Sequence, residues 1–471
     1  MRTGLLLLAA LAAALQGCAS PPTRVDRPAA LAEADYRLDL QAGASAPVEV
    51  VLELRFPHGT PAEVRLSFAR RYAFVSPDAP LLAAAPVFTD ARGRPLAAEA
   101  LDPFTWRLRQ PPQRFTVRYA VRLDHRDLPG VAGRDEYEQP YLRAGHGLLS
   151  TAVLLLLPEL GPLACRLRLE LPPGWAPTPV WPEVDGWLVP PTPLAARNDL
   201  LPVGRWESDS FEAAGFVGAV HYAPGQRLRI GASAAVLGEV ARQLIDWMGA
   251  PPAPRFGFLS PQVDGRGAGG SPKSTTMSLF LGDDALPRAR GFLAHLGAHE
   301  FFHLWGRKDV PAPDEMRWFE EGVTDWMAHR AALEVGGIGL EDLHRELGRA
   351  RRAVAAAAGS GLSLAEAGGP AFFEGGDAYQ LCYSGGLLVG TWMDRELTRA
   401  GAGGLIAFLR EWKRAGGPGT EAPLPGLERL LDSFAARAGG SAAAELRALL
   451  TAPFGADQAD ACTSAGPLPP Q

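Results

Sequence analysis

The stretch "GAHEFFHLWG", residues 297–306, places His299 and His303 four residues apart, with Glu300 directly after the first histidine. Apolar residues surround it, from "GFLAHLGA" through the Phe301–Phe302 pair, so the segment reads as a helix inside a fold. On a helix, positions four apart differ by about 40° in azimuth and one turn in height. The two imidazoles can therefore converge on one ion, while the Glu300 carboxylate reaches that ion's water without taking a coordination position. The order His-Glu-x-x-His supplies two neutral nitrogen ligands and one base. Two buried histidines bonded to neighbours would satisfy the same five residues, so the decision lies downstream.

A catalytic zinc needs a third protein ligand and an open position. In "RWFEEGVTDW", residues 317–326, Glu321 follows His303 by eighteen residues, room for one loop and a return on the next helix. Asp325 stands four residues further and faces the same side as Glu321. From there its carboxylate can accept the free ring N–H of a ligand histidine and fix the tautomer. Two neighbours compete for these roles. His295 lies one turn before His299, but rotation and rise carry it away from His303. Glu320 would point about 100° from Glu321 and reads as a solvated carboxylate.

His299–His303 with Trp305, followed by "WFEEGVTDW", resembles the glycyl aminopeptidase family of gluzincin zinc metallopeptidases, related more distantly to thermolysin and the large zinc aminopeptidases. The resemblance implies a thermolysin-like catalytic domain in which His299, His303 and Glu321 hold one Zn2+, Glu300 is the general base and Asp325 supports a ligand histidine. It extends more weakly to "FTWRLRQPPQRFTVRYAVRL", "LPPGWAP" and "NDLLPVG" in the first half, and to "YQLCYSGGLLVGTWMDREL" in the second. In that last segment family members carry a tyrosine pair followed by a lysine and a glycine. Tyr383 matches the second tyrosine, whose hydroxyl in related enzymes donates to the oxyanion; Cys382 replaces the first, and Gly385 the lysine. Tyr379 and Tyr383, one turn apart, would equally serve as packing residues.

Two departures from the family pattern bear on function. Related aminopeptidases hold the substrate amine with a glutamate where this chain has "AGGSPKST", residues 268–275, which has no acidic residue and whose Lys273 would repel an ammonium. Many family members also continue into a PDZ domain, for which too little sequence follows "LERLLDSFAARAGGSAAAELRALLTAPF".

Outward from the motif, two regions with different periods stand out. Residues 35–234 hold short alternating segments such as "VEVVLELRF", "FTVRYAVRL" and "CRLRLELP", punctuated by proline and glycine, which predict an all-β, sandwich-like domain. Near residue 235 "AVLGEVARQLIDWMG" switches to helical spacing, and residues 235–455 predict a mostly helical catalytic domain. Its small sheet would come from "RFGFLS" and "TTMSLFLG", with the glycine-rich "GRGAGGSPKS" as a flexible loop between them. That loop lacks the Gly-Lys-Ser/Thr ending of a phosphate loop, so no nucleotide is expected. Residues 456–471 read as a loose tail. The fold class is therefore α+β and multidomain.

The N-terminus carries an address. Met1-Arg2 precedes the apolar run "GLLLLAALAAAL", and Leu15-Gln16-Gly17-Cys18 resembles a lipobox, so residues 1–17 read as a lipoprotein signal peptide and Cys18 as the lipidated residue. Residues 18–34 would be the tether, and Ala19 after the cysteine points to the outer membrane, facing the periplasm. Export would place Cys165, Cys382 and Cys462 in an oxidising compartment, where three thiols allow at most one internal disulfide. A net charge of −6 over 471 residues gives no basic excess to hold a nucleic acid. The expectation is a membrane-anchored zinc metallopeptidase acting on peptides or proteins. The competing expectation is a non-catalytic, zinc-containing envelope lipoprotein whose β-domain binds a partner or cell-wall polymer.

Overall fold

Val48, Val50, Leu52 and Leu54 are buried while the residues between them are not, the period of two that a half-buried strand requires. This strand, Val48–Arg55, pairs antiparallel with Arg114–Val121 in a register that sets Val50 against Tyr119, Leu52 against Val117 and Leu54 against Phe115. The computed structural model describes residues 31–43, 46–70, 79–123, 139–161, 163–227, 231, 233–251, 255–261, 268–282, 286–306, 313–416 and 425–463. The expected signal peptide, Cys18 and most of the tether lie outside them. Among the described residues no helix is long and apolar enough to cross a membrane.

The first unit is built on a seven-stranded sheet in the order Glu183–Val184, Trp187–Leu188, Leu163–Glu170, Ala32–Asp39, Val48–Arg55, Arg114–Val121, Leu82–Asp90. A four-stranded sheet, with Glu63–Ser67 and Thr105–Arg109 at its centre, shares one core with it, to which Leu52, Val117, Leu66 and Trp106 all contribute. The expected sandwich-like domain is therefore present. It begins before residue 35, because Ala32 and Ala34 already point inward on a strand paired parallel to Leu163–Glu170.

The second unit also begins earlier than expected. Its five-stranded sheet runs Glu207–Ala213, Phe216–Tyr222, Arg255–Ser260, Thr276–Leu281, Ala268–Pro272, so the hairpin 207–222 belongs to it rather than to the sandwich. Ala213, Phe216, Val220 and Tyr222 pack into the helical core. Part of the expected glycine-rich loop is the edge strand Ala268–Pro272, antiparallel to Thr276–Leu281. That strand lies directly on the helix Ala289–Phe302: a Cβ on Gly270 would come within 2.8 Å of the Leu296 side chain. The expected loose tail is a helix as far as Thr463, anchored by buried Ala459 and Cys462 and by an Arg395 bond of 3.3 Å to the Cys462 carbonyl. Cys165, Cys382 and Cys462 are all buried, unpaired thiols.

One buried carboxylate joins the two units. Asp199 accepts from Trp181 Nε1 at 2.8 Å within the first unit. From the second it accepts Thr276 Oγ1 at 2.5 Å, the Thr275 amide at 3.3 Å and the Thr275 hydroxyl. The stretch 268–275, where related aminopeptidases carry their amine-binding glutamate and this chain has no acidic residue, thus leads straight into an interdomain contact.

Candidate metal centre

The helix Ala289–Phe302 carries His299 and Glu300, and a tight 3₁₀ turn, His303–Trp305, carries the second histidine. Phe301 stacks edge-on against Phe216 at 4.9 Å, pinning the end of this helix to the sheet. The His299 and His303 rings come within 5.0 Å of each other, and their Nε2 atoms lie 3.5 and 3.8 Å from Oε2 of Glu321. Potential donor atoms of the three residues all fall within 4.8 Å of one another. Two imidazoles and one carboxylate in such proximity form the donor set of a catalytic zinc, so the residues present fit the ion. Glu300 is buried beside them.

His299 turns its other nitrogen outward, with Nδ1 3.5 Å from Oδ1 of Asp325. Nε2 thus faces Glu321 and Nδ1 a second carboxylate. Burial opposes a charge on His299, yet the Asp325 and Glu321 carboxylates outweigh it and lift the ring to about 10. Burial likewise opposes a charge on Glu321, but bonding to His299, the charge of His303 and the Tyr383 hydroxyl hold its carboxyl down at about 2. Without metal, the centre is a charged pair at neutral pH.

Glu321 and Tyr383 both lie in single π-helical turns, Trp318–Val323 and Leu381–Gly385, a widening of the helix common at functional sites. The two turns cross at glycine. A Cβ on Gly322 would stand 2.5 Å from the Gly386 Cα, and one on Gly386 would stand 2.8 Å from the Gly322 Cα. This approach brings the Tyr383 hydroxyl to 2.8 Å from Glu321 Oε2, with the Tyr383 ring stacked on His299 at 5.9 Å. Tyr379 packs 4.5 Å from Tyr383 and is partly exposed.

The departures in this segment have local causes. A side chain at Gly385 would meet Leu364 Cδ2 at 2.6 Å and the Phe454 ring at 3.3 Å, so the lysine of the resembling family would require those side chains to shift. Cys382 is fully buried, and burial pushes its thiol up to about 12, leaving it unreactive. Lys273 is buried at the interdomain contact.

His295 stays outside the ligand set, donating instead toward Asp325 Oδ1 at 2.8 Å. Glu320 is not simply solvated, as its carboxylate lies 3.4 Å from Lys413 Nζ. The residue that sequence reading missed is His329, whose Nδ1 is 3.1 Å from His295 Nε2 and 3.7 Å from Asp325 Oδ2. Its place four residues after Asp325 was the available signal.

No family profile matches the sequence, and no curated protein does. Solved structures do. An aminopeptidase N family protein from Idiomarina loihiensis shares 19% identity over 85% of this chain and 75% of the other, with a TM-score of 0.66. A two-domain M1 zinc metallopeptidase mutant bound to L-arginine shares 15% identity over 90% and 94%, with a TM-score of 0.59. A Deinococcus radiodurans M1 zinc metallopeptidase mutant bound to Tyr-Ser-Ala shares 17% over 93% and 94%, with a TM-score of 0.57. One is thus described as an aminopeptidase N family protein and two as M1 zinc metallopeptidases. At such identities the likeness establishes architecture, and the chain has the two-domain fold of M1 zinc metallopeptidases.

Proposed function

We propose that this chain is a zinc-dependent peptidase of the gluzincin type, similar to the glycyl aminopeptidases, acting on peptide or protein substrates. The observation that carries the reading is the convergence of His299, His303 and Glu321 beside buried Glu300, with the Tyr383 hydroxyl within hydrogen-bond reach of Glu321. The Tyr-Ser-Ala and L-arginine bound in the related folds support a peptide substrate.

A bound zinc supplies Lewis acidity for the scissile carbonyl and a lowered pKa for the attacking water. The chain's own groups do the rest. His299, His303 and Glu321 would hold the ion, and Asp325 at His299 Nδ1 orients that ring so that Nε2 faces Glu321. Glu300 takes a proton from the attacking water and passes it to the leaving amine. Tyr383 keeps its proton, because burial and the adjacent Glu321 carboxylate push its pKa well up, and so can donate to the oxygen that gains charge.

The same reading puts the enzyme in a bacterial envelope, lipid-anchored at Cys18 and facing the periplasm from the outer membrane; the lipobox-like Leu15–Cys18 and Ala19 support this. Labelled palmitate that enters the wild-type protein but not Cys18→Ala would test it.

The deciding experiment measures zinc content and peptide-library cleavage on one preparation, beside Glu300→Gln. One zinc at this centre in both proteins, with cleavage lost only in the variant, is expected. Full cleavage by a clean Glu300→Gln would sink the mechanism. Cleavage of free-amine peptides alone would mean an aminopeptidase, and cleavage of N-blocked peptides an endopeptidase. The acid-free stretch 268–275 favours a second reading, a zinc protein that binds an envelope partner through its β-domain. Zinc without cleavage of any library peptide would support it.

A further inference from the structure

We propose that His295, Asp325 and His329 bind a second divalent transition-metal ion, distinct from the one held by His299, His303 and Glu321. Potential donor atoms of these three residues also lie within 4.8 Å of one another. The arrangement mirrors the first centre. There the helix 289–302 and its 3₁₀ extension supply two ligands and the following helical segment one; here the helix Thr324–Glu334 supplies Asp325 and His329, four residues apart, and the helix 289–302 supplies His295.

The two rings and the carboxylate turn their polar atoms toward one another. His295 Nε2 lies 2.8 Å from Asp325 Oδ1, His329 Nδ1 lies 2.8 Å from the Asp325 carbonyl oxygen, and the two nitrogens are 3.1 Å apart. If each nitrogen donates to its own oxygen, the two nitrogens stand side by side at 3.1 Å with no bond between them. If one proton turns toward the other nitrogen, a nitrogen lone pair faces an oxygen lone pair at 2.8 Å instead. A cation at the centre would instead take lone pairs from His295 Nε2, His329 Nδ1 and an Asp325 carboxylate oxygen together. Ligands about 2.1 Å from an ion and at right angles to each other stand about 3 Å apart, and separations of 2.8 to 3.7 Å bracket that value.

Chemistry and access agree with this assignment. Imidazole with carboxylate suits zinc, nickel, copper or iron rather than calcium or magnesium. The His295 side chain is 27% exposed, against 8% for His329, so the cluster opens to solvent through His295. Asp325 belongs to both centres, since the carboxylate that would ligate here also faces His299 Nδ1. A cation at the second centre therefore draws charge away from a ligand of the first.

The test uses the full metal-free chain, dialysed against buffered Zn2+, with zinc counted per chain for wild type, His329→Ala, His295→Ala and His303→Ala. Two zinc ions are expected in the wild type and one in each variant, with circular dichroism unchanged. His295→Ala, at a partly exposed position, keeps the test open should His329→Ala fail to fold. One zinc in the wild type that persists in His295→Ala would overturn the proposal, and so would two zinc ions in both. A single zinc lost in His295→Ala but kept in His303→Ala would support this centre and count instead against the proposed catalytic one.

Discussion

The Tyr383 hydroxyl donates a 2.8 Å hydrogen bond to Oε2 of Glu321, the oxygen that His299 and His303 also face. A donor that could serve the reaction and a carboxylate that could hold the metal are thus joined in the protein alone. The bond depends on two helices crossing at Gly322 and Gly386, each next to a π-helical turn or within one. Tyr383 also stacks on His299, so ring and hydroxyl both bear on the centre.

Tyr383→Phe keeps the stacked ring and removes only the hydroxyl. Loss of one preorganised donor to a developing oxyanion lowers kcat by about 10²- to 10³-fold. Zinc content should remain that of wild type. If zinc content and activity fall together, the hydroxyl serves to hold Glu321 and not the reaction.

Much of this was legible in sequence, for reasons that also mark where legibility stopped. The pairs His299 with His303 and Glu321 with Asp325 were legible because helix geometry relates residues a few positions apart, whereas the meeting of the two pairs across a loop was implied only by the motif's resemblance to a family. The strand Val48–Arg55 was found because one of its faces is buried. Alternation does not say which sheet a strand joins, and the hairpin 207–222 was assigned to the sandwich because its parallel pairing to Arg255–Ser260 is non-local. Helix 456–463 escaped because it is anchored by only Ala459 and Cys462, too little apolar surface to show a period. The π turns have no signature in residue propensities, and His295 with His329 become a cluster only once two helices are set side by side.

Asp325→Asn removes the charge behind His299 while keeping the shape. Supports of this kind change metal affinity by about 10- to 100-fold. Zinc competition against a chromophoric chelator should show a weakening in that range. An unchanged affinity at the His299, His303 and Glu321 centre would mean that Asp325 does not support the His299 ring.

The pH dependence of metal binding follows from His299. In the metal-free protein its pKa is raised to about 10, so at neutral pH the ring holds a proton that a metal must displace. Raising the pH removes that competitor, so apparent zinc affinity should increase about tenfold per pH unit through the neutral range. Calorimetry in buffers of different ionisation enthalpy should count about one proton released per zinc bound at this centre. Binding with no proton release would mean that His299 is already neutral.

Asp199 is 1% exposed and receives donors from both units, so its removal should weaken their contact. Asp199→Ala leaves Trp181 Nε1 and the Thr275 and Thr276 hydroxyls without this acceptor. Buried donors left unsatisfied cost about 1–3 kcal/mol each, and partial relaxation should bring the total to about 3 kcal/mol. A lower urea midpoint, with tryptophan fluorescence changing before zinc is lost, is the expected result.

Gly322 separates a packing requirement from a helix preference. Replacing a helical glycine by alanine usually stabilises by roughly 0.5–1 kcal/mol, and Gly348→Ala should do so, because its Cβ would meet only the flexible end of Arg352 at 3.5 Å. Gly322→Ala gains the same preference but drives a methyl to 2.5 Å from the Gly386 Cα, where both partners are backbone and cannot step aside. Overpacking of this kind costs about 1–3 kcal/mol, so the net change should be destabilising. The shift falls on the neighbour of Glu321, so zinc affinity and cleavage should drop further than stability does. Thermal unfolding and zinc competition on the two variants give the comparison. A Gly322→Ala protein as stable and as tightly metallated as Gly348→Ala would show that the crossing does not set the position of Glu321.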